Sequence, residues 1–287
     1  PSAWMEEGST RAINNIDSVH GDGNLAEGTF GGGKLPIHEI DNGGNFAYGF
    51  HQPTQPIKPM LATDGKRPAM NNDWKPEQKT FKIVQNKAMI GDKAEDLGQF
   101  LGTEVHEFGH MLDQNMLPNS GSAKVVNGLR KAARDADVDT LLLPIDMGDG
   151  RPLWHARRFA SSSSPDLQDW RDAVENSKAF QALAKERKDA ELRQILNIEG
   201  IGGEIHASKY PKSFIDYQLT AHETFARSYS QYIATRSGDE VMLNTLYKNS
   251  LKGSAKHPAQ WDAEDFEPIA KAFDDLFEKL GWIEKAS

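Results

Sequence analysis

The sequence predicts an α+β protein, mostly helical with a small strand component, and three observations lead there. Apolar residues recur at helical spacing over residues 96–114, 166–196, 220–235 and 264–280. One short stretch, Thr80 to Gln85, alternates and is rich in β-branched residues, the pattern of a half-buried strand. No window approaches the ~18 consecutive apolar residues of a spanning helix, so no membrane span is expected.

The elements follow in chain order. Residues 1–75 carry Gly31-Gly32-Gly33, Gly43-Gly44, Pro53, Pro56, Pro59 and Pro68, which predicts a Gly/Pro-rich arm or linker. At most short strands, Leu35 to Ile40 and Asn45 to Phe50, fit between its turns. After the strand at 80–85, a helix runs from Asp96 to Gln114 and stops ahead of Pro118. Ser122 caps a further helix over Lys124 to Ala136, and Asp137 to Arg158 reads as irregular. Beyond the serines at 161–164, Asp166 to Leu196 is helical with a break near Ser177. Glu199 to Tyr210 reads as a glycine-containing loop, and helices over Thr220 to Thr235 and Glu264 to Leu280 follow, the last ended by Gly281. The economical division is an arm at 1–75 and one domain at 76–287, with a helical insertion around 122–200.

At 287 residues the chain buries enough surface to need no covalent staple, and it has no cysteine. Thiol catalysis, zinc–thiolate sites and disulfides are excluded together. The net charge of −9, without a long basic run, is a poor match to a phosphate backbone, so no nucleic-acid partner is expected. The first residues, Pro1-Ser2-Ala3-Trp4, read as the edge of a larger polypeptide or assembly component.

The chemistry concentrates in His106-Glu107-Phe108-Gly109-His110, an H-E-x-x-H motif inside a predicted helix. At ~100° per residue the two histidines share a face one turn apart, where both imidazoles reach one ion. Glu107 lies to one side, placed to meet a metal-bound water. Leu101, Val105, Phe108 and Leu112 form the opposite, core-facing stripe. With nine His and 19 Glu in the chain, chance yields roughly 0.02 such motifs.

A hydrolytic zinc takes three protein ligands and keeps one position open. Asp113 shares the histidines' face, but three ligands along one straight helix do not converge on a tetrahedral ion, so it is expected to orient a histidine. No glutamate occurs between Glu107 and Glu175, and the third ligand must come from farther away. Glu223 leads, with Glu199, Glu204 and His206 as alternatives. Glu223 also has two ordinary readings: a capping box with Thr220, and an i,i+4 ion pair with Arg227. His222 is expected to point elsewhere as a surface or packing histidine. His20, His38, His51, His155 and His257 are scattered and expected to be inert.

His-Glu-Phe-Gly-His-Met-Leu-Asp at 106–113, followed on a second helix by a tyrosine ahead of Glu223-Thr-Phe-Ala-Arg227, resembles the anthrax-lethal-factor-like gluzincins. It is also similar to the zincin domains of phage head-morphogenesis and polyvalent proteins. The resemblance covers two short blocks. It implies a zincin-like metallopeptidase domain with a small sheet beside the active-site helix, zinc held by His106, His110 and Glu223, and Glu107 as general base. Tyr217 would take the place of the family's oxyanion-stabilising tyrosine, with Tyr210 as the next choice. The strand at 80–85 would edge the cleft and align an extended protein or peptide substrate. Secreted or delivered localisation is favoured over cytoplasmic on the same ground. The expected activity is zinc-dependent endopeptidase cleavage. The alternative is a zincin fold kept as a structural or binding module of a virion or toxin.

Overall fold

The computed structural model describes residues 3–21, 25, 37–40, 49–52, 82–86, 97–117, 159–198, 212–253 and 260–283. Its main body is 88% helical and contains no strand. The expected α+β class with a small sheet beside the metal helix is therefore corrected to a mostly helical fold. Beyond that body, three strands of four or five residues are described: β1 (Ile37–Ile40), β2 (Gly49–Gln52) and β3 (Lys82–Asn86). β3 is central, parallel to β1 and antiparallel to β2. The physical reason for the correction is that alternation over a few residues specifies a local strand, whereas a fold class is set by which layers form the core. Here the core of the described residues is drawn from helices and their turns.

The first helix, α1 (Ala3–His20), lies within the stretch that composition assigns to an arm. Ala12 and Ile16, one turn apart, are buried in the common core. Ser9 donates to Glu104 at 2.7 Å, and Arg11 pairs with Asp239 at 2.6 Å. Residues 3–20 are thus part of the helical body, and the glycine-rich composition begins only after them.

The metal-motif helix is α2 (Leu97–Met111), continued by a π-helical turn over Leu112–Met116. Leu117 closes this turn by donating to the Leu112 carbonyl at 2.9 Å, just ahead of Pro118. Phe100, Leu101, Val105, Phe108, Met111 and Leu112 are all buried, as the apolar stripe requires. Then come α3 (Ala160–Ser163), a 3-10 turn (Pro165–Leu167), α4 (Gln168–Glu175) and α5 (Lys178–Ile198). The expected break falls at Asn176 and Ser177, between α4 and α5. Trp170, Val174, Phe180 and Leu183 bring these helices into the same core. The expected helix over 124–136 and the irregular run to 158 lie outside the described residues.

Four helices complete the body: α6 (Lys212–Gln218), α7 (Ala221–Ser237), α8 (Glu240–Gly253) and α9 (Ala263–Leu280). The central one is α7, buried on nearly every side from Ala221 to Ala234. Its inward aromatics Phe225, Tyr229 and Tyr232 meet Trp170 of α4 and Phe273 and Phe277 of α9 in edge and tilted contacts. Polar atoms that this burial would strand are satisfied: Trp170 donates to Ser228 at 3.1 Å and Tyr232 to Asp274 at 2.9 Å. Asp262 caps α9 through the Asp265 amide, and Gly281 ends it at φ 71°. No helix among the described residues is long and apolar enough to cross a membrane.

Candidate metal centre

The crossing of α2 over the start of α7 builds the site. Gly109 makes the crossing close: a Cβ there would lie 3.0 Å from the Ala226 Cα and 3.2 Å from the Tyr229 ring. On α2 the His106 and His110 rings stand 4.7 Å apart, nearly perpendicular at 89°. Their side chains keep 19% and 14% of their surface in solvent, so the site has a mouth. Glu107 between them is buried. Across the crossing, Glu223 is buried in the first turn of α7, where the unpaired N–H groups and helix dipole favour a carboxylate.

The Glu223 Oε2 lies 3.6 Å from His106 Nε2 and 3.5 Å from His110 Nε2. One ligand atom from each of the three residues falls within 4.8 Å of the others, and the triad is a possible metal site. The buried Oε2 makes no hydrogen bond. Two imidazole nitrogens and an orphaned carboxylate oxygen around one point are a donor set that an ion satisfies. Burial disfavours the ionised carboxyl, yet the His106 and His110 charges win and hold Glu223 well below the usual carboxylate range. For His110 burial opposes protonation, and the hydrogen-bonding and charge of Glu223, with the charges of Glu107 and Asp113, raise it overall.

The two ordinary readings of Glu223 fare differently from its metal reading. Thr220 stands at the N-cap but makes no side-chain cap; its hydroxyl donates back to the Tyr217 carbonyl at 2.7 Å. The capping box is not formed. Arg227 is buried, with its Nη2 donating to the Gln218 carbonyl at 2.6 Å and its guanidinium 5.6 Å over the Trp261 ring. It clamps the turn between α6 and α7 while its charge still acts on Glu223.

Asp113 sits in the π-helical turn, fully buried. Both its oxygens accept from Ser161, one from the backbone N–H at 2.6 Å and one from the hydroxyl. The expectation that it orients a histidine by hydrogen bonding gives way to a structural tie between α3 and the end of α2. Burial pushes its carboxyl up to about 7 against those hydrogen bonds and the nearby His110 charge.

Tyr217, at the end of α6, is 40% exposed. Burial, then the nearby Glu223 charge, raise its pKa above the ordinary range. His222 packs against aromatic rings, in keeping with its reading as a packing histidine. Its ring lies 5.7 Å from that of His110, stacks on Phe159 at 4.7 Å and 25°, and meets the Tyr217 ring edge at 6.4 Å. Glu199, Glu204, His206, Tyr210, His155 and His257 lie outside the described residues. His20 is buried in the core, away from the triad, against Tyr229 and Phe277.

No family model, curated protein or solved structure matches this chain.

Proposed function

We propose that the chain is a zinc-dependent metalloendopeptidase of the gluzincin type, cleaving protein or peptide substrates. One observation supports this above the rest: a buried glutamate from a remote helix meets both histidines of an H-E-x-x-H motif, with its Oε2 unpaired. Two nitrogens and one carboxylate oxygen are the donor set that suits a catalytic zinc with one position left open. Zinc bound there would act as a Lewis acid toward a scissile carbonyl and lower the pKa of a water.

The chain's own residues divide the remaining work. His106, His110 and Glu223 hold the ion. Glu107, adjacent in sequence and buried beside them, takes the proton of the attacking water on its carboxylate. It then delivers that proton to the leaving amine nitrogen, so the base of the first step is the acid of the second. Tyr217, at the end of α6 and part-exposed, would donate its hydroxyl to the carbonyl oxygen as negative charge builds there.

The test pairs metal analysis with turnover. Purified wild-type protein should carry one zinc per chain and cleave an unfolded protein such as casein. Glu107→Gln should retain zinc and fold while losing at least about 10²- to 10⁴-fold in rate. His110→Ala should lose the zinc. Full turnover in Glu107→Gln, or equal zinc in His110→Ala, would overturn the assignment. Zinc retained by a wild type without hydrolysis would point to the structural-module alternative.

A further inference from the structure

We propose that α3 braces the metal centre and that Asp113 and Ser161 are its positioning residues, fixing the spacing between the ligand-bearing helices α2 and α7. The inference rests on the metal reading of the triad and adds residues that hold its geometry without touching ion or substrate. Two of the three candidate ligands sit near helix ends. His110 stands one residue before the end of α2, where the winding widens into the π-helical turn, and Glu223 stands in the first turn of α7. Intrahelical hydrogen bonding is incomplete or irregular at such ends, so their spacing depends on contacts from outside the two helices.

The short α3 supplies those contacts to both, packing on the π-helical turn and on α7. On the α2 side, Asp113 accepts the Ser161 backbone N–H at 2.6 Å on one oxygen and the Ser161 hydroxyl at 2.5 Å on the other. Both residues are fully buried. On the α7 side, Phe159 at the N-cap of α3 stacks on the His222 ring at 4.7 Å, and His222 adjoins Glu223 in the chain. The His222 ring in turn lies 5.7 Å from that of His110. Arg171 of α4 anchors the brace from behind, donating to the Ser161 carbonyl at 3.0 Å and the Ser164 carbonyl at 2.8 Å. Carboxylate and guanidinium both make hydrogen bonds of the stronger, charge-assisted kind. A change at Asp113 or Ser161 therefore reaches the ligands as a displacement, not as a lost donor.

The test reads metal geometry on the full chain, so it needs no turnover. Zinc affinity by chelator competition and the visible spectrum of the cobalt-substituted protein would be compared across variants. Asp113→Ala removes both bonds of the tie and should weaken zinc about 10- to 100-fold and shift the cobalt bands. Ser161→Ala keeps the backbone bond and should cost less. Phe159→Leu releases the α7 side of the brace and should shift the cobalt bands too. Tyr232→Phe removes the Asp274 hydrogen bond farther along α7 and is the structural control, lowering the apo midpoint with zinc affinity and cobalt bands unchanged. Asp113→Ala with a lowered apo midpoint but wild-type zinc affinity and cobalt bands would overturn the proposal. Should that variant fail to fold, wild-type metal behaviour in Ser161→Ala and Phe159→Leu would overturn it equally. Asp113→Asn keeps an acceptor for the Ser161 N–H and should recover most of the affinity. Asp113→Asn as weak as Asp113→Ala would assign the effect to carboxylate charge near His110 and overturn the brace. A wild type that binds no metal would sink the metal reading together with the brace. Brace-dependent zinc in a protein that cleaves no peptide would sink the peptidase reading alone.

Discussion

Thr220 and Glu223 open the same helix, and the structure separates what each does. Thr220 directs its hydroxyl at the Tyr217 carbonyl, whereas Glu223 points at two imidazoles. Glu223→Ala should therefore abolish stoichiometric zinc under a competing chelator and lower activity severely. Thr220→Ala should leave zinc unchanged, and its metal-free thermal midpoint should move by less than a lost cap's ~1 kcal/mol would produce. Comparable losses of apo stability in both variants, with zinc retained, would restore the capping box. His106, Glu107 and His110 were legible in the sequence because helical period alone places them on adjacent faces. Glu223 was legible only through its resemblance to a motif, since its competing local partners satisfy the same spacing. Which face of α7 meets α2 depends on the crossing, and the crossing depends on tertiary packing.

At the scale of the element, two glycines of α2 make opposite demands. An added Cβ at Gly102 meets nothing within 4 Å, but at Gly109 it meets the α7 backbone at 3.0 Å. Alanine gains about 1 kcal/mol of helix propensity at either position. At Gly102 that gain stands alone, so Gly102→Ala should raise the apo midpoint. At Gly109 overpacking of about 1–3 kcal/mol offsets or exceeds it. The larger consequence is geometric: pushing α2 off α7 moves both histidines away from Glu223. Gly109→Ala should weaken zinc binding out of proportion to its effect on apo stability, as chelator competition and thermal melts would show. Zinc affinity equal to that of Gly102→Ala would mean that α7 yields without moving the carboxylate. Helices α2, α4, α5, α7 and α9 were legible from period and caps, with ends displaced by a few residues, whereas α6 and α8 were not. The α1 helix was obscured because its sequence precedes a glycine-rich run whose composition dominated the reading. The strand pattern at 80–85 signalled a local ladder, and nothing in its length said whether a sheet would define the fold.

At the scale of the whole molecule, His20 joins the two ends of the chain to the central helix. Its Nδ1 lies 3.2 Å from the Trp282 carbonyl and its Nε2 3.0 Å from the Tyr229 hydroxyl. A carbonyl only accepts, so Nδ1 carries the proton, and the neutral Nε2 accepts from Tyr229. Burial lowers the His20 pKa to about 4, with the Trp282 hydrogen bond opposing. The unfolded chain therefore binds a proton near pH 6.5 that the folded chain refuses until about pH 4. Stability from this group is complete above about pH 6.5 and falls as pH drops through that window, by at most about 3 kcal/mol. Asp113 acts in the opposite sense, because its raised carboxyl favours the folded state as pH falls from about 7. The two partly cancel in wild type, so the informative quantity is a difference between proteins that share Asp113. Denaturant melts of metal-free wild type and His20→Gln between pH 7.5 and pH 4 would supply it. The wild-type advantage should shrink toward the acid end, since glutamine has no proton to gain. Parallel pH profiles would show that His20 is protonated in the folded core at no cost, which its contacts with Tyr229, Phe277 and the Trp282 carbonyl argue against.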